Sequence, residues 1–476
     1  MNKKITLALA CFITCNLYAE NRAELLPEPE HKDFTNNLVG ENIRKSAKTE
    51  EKTVTKVSLE DLKKDPKLLE RVLDKAIETN QIKLVELLLP FYIENPNHDK
   101  TLVTYAKAKI AISQGDTKKA IELYQDIINK NPDLTPTRFY LAQALMLDGN
   151  LISAREEFNK VKADKNLPKE VEVVVDKYLE QIAKQNKWKI DVNAYYIDDK
   201  NVNNSANLPP ETAENCGFLQ NCTITYPQGE RAHGFGFGLN ARKDFAIADK
   251  NYWRIATNNY GKYYWDKHNY TDITTSVSTG LVHRSAKQET SVMPYVGRRM
   301  YGDNTYSKNV GINFNNARVI NNNFTLFSAV DIGRKSHPDR KYLDGVDTSI
   351  SNTLLYRTSP KQYFTFGLDF GQSTARDESE EYKYGGIRTG WGRNWSQEIT
   401  TNLSGGILKR YYQAENFFGT KRQDDVYYGK FSIHKNNWQL FGITPQLVAR
   451  YQKNDSNQKF YTYDKSQVYL DFLKNF

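Results

Sequence analysis

The chain has 476 residues, a formal net charge of +9, 39% hydrophobic residues and a mean hydropathy of −0.69. That length points to two or three domains, and no interior stretch approaches the ~18 consecutive apolar residues of a membrane helix. The basic excess is spread without a Lys/Arg block, which sets nucleic acid aside as a partner and leaves attraction to anionic lipid headgroups as the simpler account.

The first residues, MNKKITLALACFITCNLYAE, predict a secretory signal peptide over 1–19. Lys3 and Lys4 form the positive region, Ile5 to Leu17 the apolar run, and Leu17-Tyr18-Ala19 the cleavage site. Cys11 follows too short an apolar run, and Cys15 sits in a poor acceptor context, so neither reads as a lipid-bearing Cys. Residues 20–57 are charged and poor in large apolar side chains, which predicts a lead-in that cannot bury a core.

From 58 to 186 the pattern is helical and it repeats. TLVTYAKAKIAISQGDTKKAIELYQDIINKNP, from Thr101, aligns with TPTRFYLAQALMLDGNLISAREEFNKVKADKN, from Thr135. Ala108 falls on Ala142, Gly115 on Gly149, Ala120 on Ala154 and Tyr124 on Phe158, each ~34 residues apart, the tetratricopeptide (TPR) period. The small Ala residues let two antiparallel helices approach, and Gly turns the chain between them. The aromatic fills the space between repeats, and Pro132 ends the second helix of the first unit. Residues 67–94 read as an earlier, degenerate pair and 168–184 as a capping helix. A binding role for peptide segments is expected of such a solenoid, against a helical spacer with no ligand.

After Lys187 the period changes to two. In YFTFGLDFG (363–371), Phe364, Phe366, Leu368 and Phe370 share one face, while Thr365, Gly367, Asp369 and Gly371 share the other. The aromatic content is high, with 30 Tyr, 22 Phe and 6 Trp, and it crowds into this half. Fourteen such segments are predicted, near 187–197, 232–244, 251–263, 270–282, 289–300, 305–317, 323–333, 346–357, 362–372, 383–393, 398–411, 426–434, 438–452 and 460–476. The even-numbered connections (AIADK, HRSAKQ, VINNN, TSPKQ, NWSQE, HKNN) are short. Several odd-numbered ones (198–231, 334–345, 373–382, 412–425) are long. Alternation, loop asymmetry and an aromatic C-terminus predict an outer-membrane β-barrel over 187–476. A soluble β-sandwich would need more apolar alternation to fill its core.

An even strand count puts both barrel ends on one side, so the helical domain is expected on the short-turn, periplasmic side. The long first loop, with Cys216 and Cys222, then faces outward, where the two Cys are expected to pair. In VYLDFLKNF (468–476), Val468, Leu470, Phe472 and Phe476 are expected toward lipid, with Tyr469, Asp471 and Leu473 inward. A terminal Phe resembles the signal read by the barrel-assembly machinery.

No GxSxG, Walker A, HExxH or CxxC pattern is present, so neither an enzyme nor a cofactor or metal site is predicted. His233, His268, His283, His337 and His434 read as interfacial or loop residues. Asp198 to Asn204 is rich in oxygen ligands but lacks the Gly and closing Glu of a calcium loop. The acidic run Asp377 to Glu381 reads as a solvated loop.

The barrel start, KWKIDVNAYYIDDKNVNNSA (187–206), and its end, YQKNDSNQKFYTYDKSQVYLDFLKNF (451–476), resemble the surface lipoprotein assembly modulators (Slam), including relatives that export soluble haem-binding proteins. Trp188 and the Asp/Asn run from Asp198 to Asn204 match the family's start. Asn454-Asp455-Ser456-Asn457, Tyr461, Tyr463 and the final strand match its end. The resemblance covers Ser58 to Phe476. It implies a TPR domain before a 14-stranded barrel that delivers client proteins across the outer membrane, as a monomer. The client would be a surface lipoprotein or a secreted haem- or iron-binding protein with a C-terminal β-rich domain. The alternatives are a polysaccharide-export porin, which usually carries longer TPR arrays, a lipid hydrolase, which lacks its residue pair here, and a passive porin, which leaves the helices unexplained.

Overall fold

The computed structural model describes residues 59–206, 208–209, 211–216 and 219–475. The signal peptide, the lead-in and Phe476 lie outside the described residues, as do the side chains of Cys216 and Cys222. The described part opens with helices α1 (Leu59–Lys64), α2 (Pro66–Glu78), α3 (Ile82–Ile93), α4 (Lys100–Ser113), α5 (Thr117–Lys130), α6 (Thr135–Leu147), α7 (Leu151–Lys162) and α8 (Lys169–Gln185). Several starts are set by Asp caps. The Asp65 carboxylate accepts from the backbone N–H of Lys67 and Leu68, each at 3.1 Å. Asp99 accepts from Thr101 at 2.7 Å and Asp116 from Lys119 at 3.1 Å.

The helices pair as α2/α3, α4/α5 and α6/α7, with α8 closing the stack. Ala108, Ala120, Ala142 and Ala154 are wholly buried at the helix contacts, and Tyr124 and Phe158 fill the core between repeats. Gly115 and Gly149 hold φ of 77° and 84° in the two interhelical turns, a backbone state that disfavours any side chain. α5 stops at Lys130, two residues before Pro132.

The second half is a closed antiparallel barrel of fourteen strands, each hydrogen-bonded to its neighbours along the chain. Its strands are β1 (Lys189–Asp199), β4 (Ala232–Ala248), β5 (Asn251–Tyr264), β6 (Asp272–Arg284), β7 (Gln288–Tyr301), β8 (Asn304–Val319) and β9 (Phe324–Ser336). They continue as β10 (Gly345–Ser359), β11 (Gln362–Ser373), β12 (Tyr382–Asn394), β13 (Ile399–Glu415), β14 (Lys421–Lys435), β15 (Thr444–Ser456) and β16 (Tyr463–Asn475). A separate hairpin, β2 (Glu211–Cys216) and β3 (Leu219–Thr225), stands in the first long loop.

Burial is inverted relative to a soluble sheet. On β11, Phe366, Leu368 and Phe370 are 59%, 50% and 55% exposed, while Thr365 and Asp369 are 8% and 4% exposed. Apolar side chains stand outside and polar ones inside, the arrangement that a lipid solvent demands. Exposed Trp188, Trp253, Trp395 and Trp438 mark the short-turn end, and Tyr196, Trp265, Tyr342 and Tyr411 mark the other. These are the two aromatic girdles of a membrane barrel.

Three departures from the sequence reading stand out. The segment expected from 438 starts as a strand only at Thr444. Trp438, Leu440 and Phe441 are exposed in a turn in which Phe441 and Gly442 take φ of 53° and 75°, so their apolar alternation mimics a strand. The loop expected over 412–425 shrinks to 416–420, because β13 and β14 keep pairing beyond the apolar band. The long loop 198–231 contains the β2–β3 hairpin, which its irregular polar sequence did not reveal.

Candidate functional site

α4 and α6 are the first helices of successive pairs, and Tyr105 of one reaches Tyr140 of the other. Tyr105 lies 5.7 Å from Tyr124 and 5.6 Å from Tyr140, measured between ring centroids. The Lys109 ammonium sits 3.4 Å from the centre of the Tyr140 ring, a cation–π contact. Burial lowers the Lys109 pKa to about 8. From α6 to α8, Gln143 Nε2 donates to the Tyr178 hydroxyl at 2.9 Å. The helical domain thus carries an aromatic row with one buried cation.

The turns at Gly115 and Gly149 face the barrel. They meet the two short barrel turns β4–β5 (Asp249, Lys250) and β6–β7 (Ser285 to Lys287). Asn150, which precedes α7, makes no side-chain cap to that helix. The Asp249 carboxylate does it from the barrel. It accepts from the backbone N–H of Ile152 at 2.9 Å and of Ser153 at 3.1 Å, and from the Ser153 hydroxyl. A carboxylate at a helix N-terminus satisfies orphan donors and the helix dipole together. Lys250 pairs with Asp148, which also accepts from the Thr117 hydroxyl at 2.9 Å. The Lys250 backbone N–H donates to the Gly149 carbonyl at 3.2 Å. A Cβ on Gly149 would come within 2.7 Å of the Arg284 carbonyl oxygen.

Beneath this junction lies a charge network on the inner wall. Tyr252 donates to the Gly149 carbonyl at 3.4 Å, and its ring centre lies 4.7 Å from the Arg284 guanidinium carbon. Arg284 reaches Asp244 at 2.7 Å and Glu289 at 2.8 Å. Arg254 donates twice to Asp244, at 2.6 and 2.8 Å, and to Glu289 at 3.2 Å. Farther round, Arg299 meets Asp272, Lys335 meets Asp347, Arg388 meets Asp369 and Arg422 meets Asp424, at 2.6–3.0 Å. The inner wall therefore carries matched charges, which neutralise one another where a lone charge would be costly.

The residues singled out from the sequence fall into separate places. The TPR positions form the helical core and both docking turns. Val468, Leu470 and Phe472 point outward on β16, and Asp471 is buried inside. In the oxygen-rich stretch, Asp198 is engaged by Arg231 at 2.6 and 2.7 Å. Asn201 and Ser205 exchange two 2.8 Å bonds that fold the loop base. His233 meets Asp266 at 2.7 Å, and Asp377 caps the short helical turn that follows it. Sequence reasoning missed Asp148, Asp249, Lys250 and the wall network. AIADK gave a short turn but nothing about its partner, and the wall charges are scattered one or two to a strand.

A family model described as surface lipoprotein assembly modifier matches residues 188–476, and one for the N-terminal TPR repeats of the same family matches 55–158. The chain is 30% identical to surface lipoprotein assembly modifier 1 of Haemophilus influenzae, covering 88% of this chain and 87% of that one. It is 31% identical to the surface lipoprotein assembly modifier of Pasteurella multocida, over 88% and 85%. It is 23% identical to the hemophilin secretion modulator of Acinetobacter baumannii, over 86% and 85%. With both matches falling on the two domains described above, this chain belongs to the surface lipoprotein assembly modifier family of the outer membrane.

Proposed function

We propose that this protein carries a client protein, a surface lipoprotein or a soluble haem- or iron-binding protein, across the outer membrane without catalysis. The helical domain stands in the periplasm, where it receives the client or a chaperone. The observation that carries this reading is the junction: a peptide-binding class of solenoid is fixed by Asp249 and Lys250 to the short-turn mouth of a barrel. The matched charges of the wall also suit a polypeptide of mixed sign better than an anionic polysaccharide, which would favour a wall of one sign.

The mature chain begins after residue 19 and acts as a monomer. Val468, Leu470, Phe472 and Phe476 form the signal that the barrel-assembly machinery reads. Cys216 and Cys222 pair in the outer loop, so thiol labelling of native membranes should tag neither until reductant is added.

The test is co-expression with a candidate client encoded beside this gene, followed by protease shaving of intact cells. Surface exposure or release should require this protein. Unchanged exposure in its absence refutes the translocator reading.

A further inference from the structure

The ladder that closes the barrel is its shortest. β1 and β16 share five residue pairs, from Asp191–Asn475 to Tyr195–Asp471. β1 shares eleven with β4, β16 shares eleven with β15, and no other barrel ladder has fewer than eleven. The five pairs lie toward the short-turn end. Both strands then run on, β1 through Tyr196–Asp199 and β16 through Leu470 back to Tyr463, but the ladder does not.

Side chains bridge this outer half instead. Tyr195 stacks on Tyr469 at 4.3 Å, and Lys465 Nζ donates to Asp199 at 3.2 Å. Below them, Asn193 Nδ2 donates to Asp471 at 3.2 Å. On the outside, Val468 is 72% exposed, more than any other large apolar side chain of the barrel strands among the described residues. A strand edge facing lipid is a costly state, because hydrocarbon offers no partner to backbone N–H and C=O groups. The group that satisfies both in alternation is another extended strand.

We propose that the outer half of the β1–β16 seam takes an extended segment of the client by strand addition during export. The proposal rests on the translocator reading. The occupant is a client strand whose apolar residues alternate, matching the outward row of Val468 and Leu470. Position favours a client over a second copy of this chain. The β4–β5 turn that holds α7 belongs to the strand next to β1, so the helical domain is fixed beside this seam.

Two measurements on the full-length protein in cells test it. A photo-crosslinking residue at Val468 should capture the co-expressed client, while one at Val310, on the lipid face of β8, should not. In a second variant, Tyr196→Cys with Leu470→Cys sets a disulfide across the outer seam. Oxidation should abolish client exposure, and reduction should restore it. Ile312→Cys with Ile332→Cys, a directly opposed outward pair on β8 and β9, should export in either state. Export that survives an oxidised seam overturns the proposal, as does crosslinking at Val468 to a second copy alone. Failure of the unmodified protein to export any client overturns the translocator reading itself.

Discussion

Replacing Asp249 by Ala removes the cap of a helix that belongs to another domain. The wild-type carboxylate holds the N–H groups of Ile152 and Ser153 and the Ser153 hydroxyl. A lost N-cap costs about 1 kcal/mol and the lost charge at a helix N-terminus about 0.3–1 kcal/mol more. With the hydroxyl bond, docking should weaken by roughly 2 kcal/mol, an about thirty-fold shift toward the undocked arrangement. The assay is a distance distribution in lipid nanodiscs between spin labels at Glu122 on α5 and Lys361 in the β10–β11 turn. A new population should appear in the Ala variant. Asp249→Asn, which keeps an acceptor but loses the charge, should fall between. Ser153→Ala in the Asp249→Ala background should add less than it does alone, because both remove one hydrogen bond. Identical distributions in all variants would refute the trans cap.

Gly149→Ala should undock the helical domain more than Gly115→Ala in the same assay. Both need positive φ, but only Gly149 meets backbone, whereas a Cβ on Gly115 would lie 3.5 Å from the flexible Lys287 amine. Equal effects would sink that distinction. Burial lowers the Lys109 pKa to about 8 in the folded domain, against the ordinary 10.5 of an exposed lysine in the unfolded chain. The unfolded state therefore binds more protons between these values, and stability should rise with pH across that window by up to roughly 3 kcal/mol. Lys109→Met should be more stable at pH 7 and flat to pH 10, read from thermal melts of the helical domain's signal; a flat wild-type profile would contradict it. Arg388→Met strands buried Asp369 beside Ser351 and Thr353, at a cost of about 3–5 kcal/mol, and should lower the barrel's unfolding temperature in detergent. No change would mean Asp369 has other support. Deleting Phe476 should reduce the outer-membrane fraction on cell fractionation, and a normal fraction would dismiss the terminal signal.

Much of the architecture was legible because two periodicities are written into the chain. Ala108, Gly115, Ala120 and Tyr124 return at Ala142, Gly149, Ala154 and Phe158, and each has a local packing reason. Phe366, Leu368 and Phe370 alternate because lipid lies on one side only. The misreadings come where that pressure stops. Beyond the apolar band, Tyr412, Gln423 and Asp424 keep pairing as strand without an apolar row to betray it. At Trp438 to Phe441 the row exists without a strand. The junction was illegible for another reason. Asp249 and Ser153 are 96 residues apart, and an Asp in a short turn looks the same with or without a helix above it.

The two docking turns set a gauge. Adjacent strands lie about 4.8 Å apart, so successive hairpin turns along a barrel rim are spaced by about 10 Å. Packed helices stand about 8–10 Å apart. A solenoid of helix pairs laid along a rim of hairpins can thus keep step with it, as Gly115 does against Lys287 and Gly149 against Lys250 and Arg284. Inserting or removing one whole repeat would slide the domain by a tooth and leave a fitting contact, whereas a half-repeat would present a helix where the rim requires a turn. A change in the length of this domain should therefore keep its docking only when it comes in whole repeats.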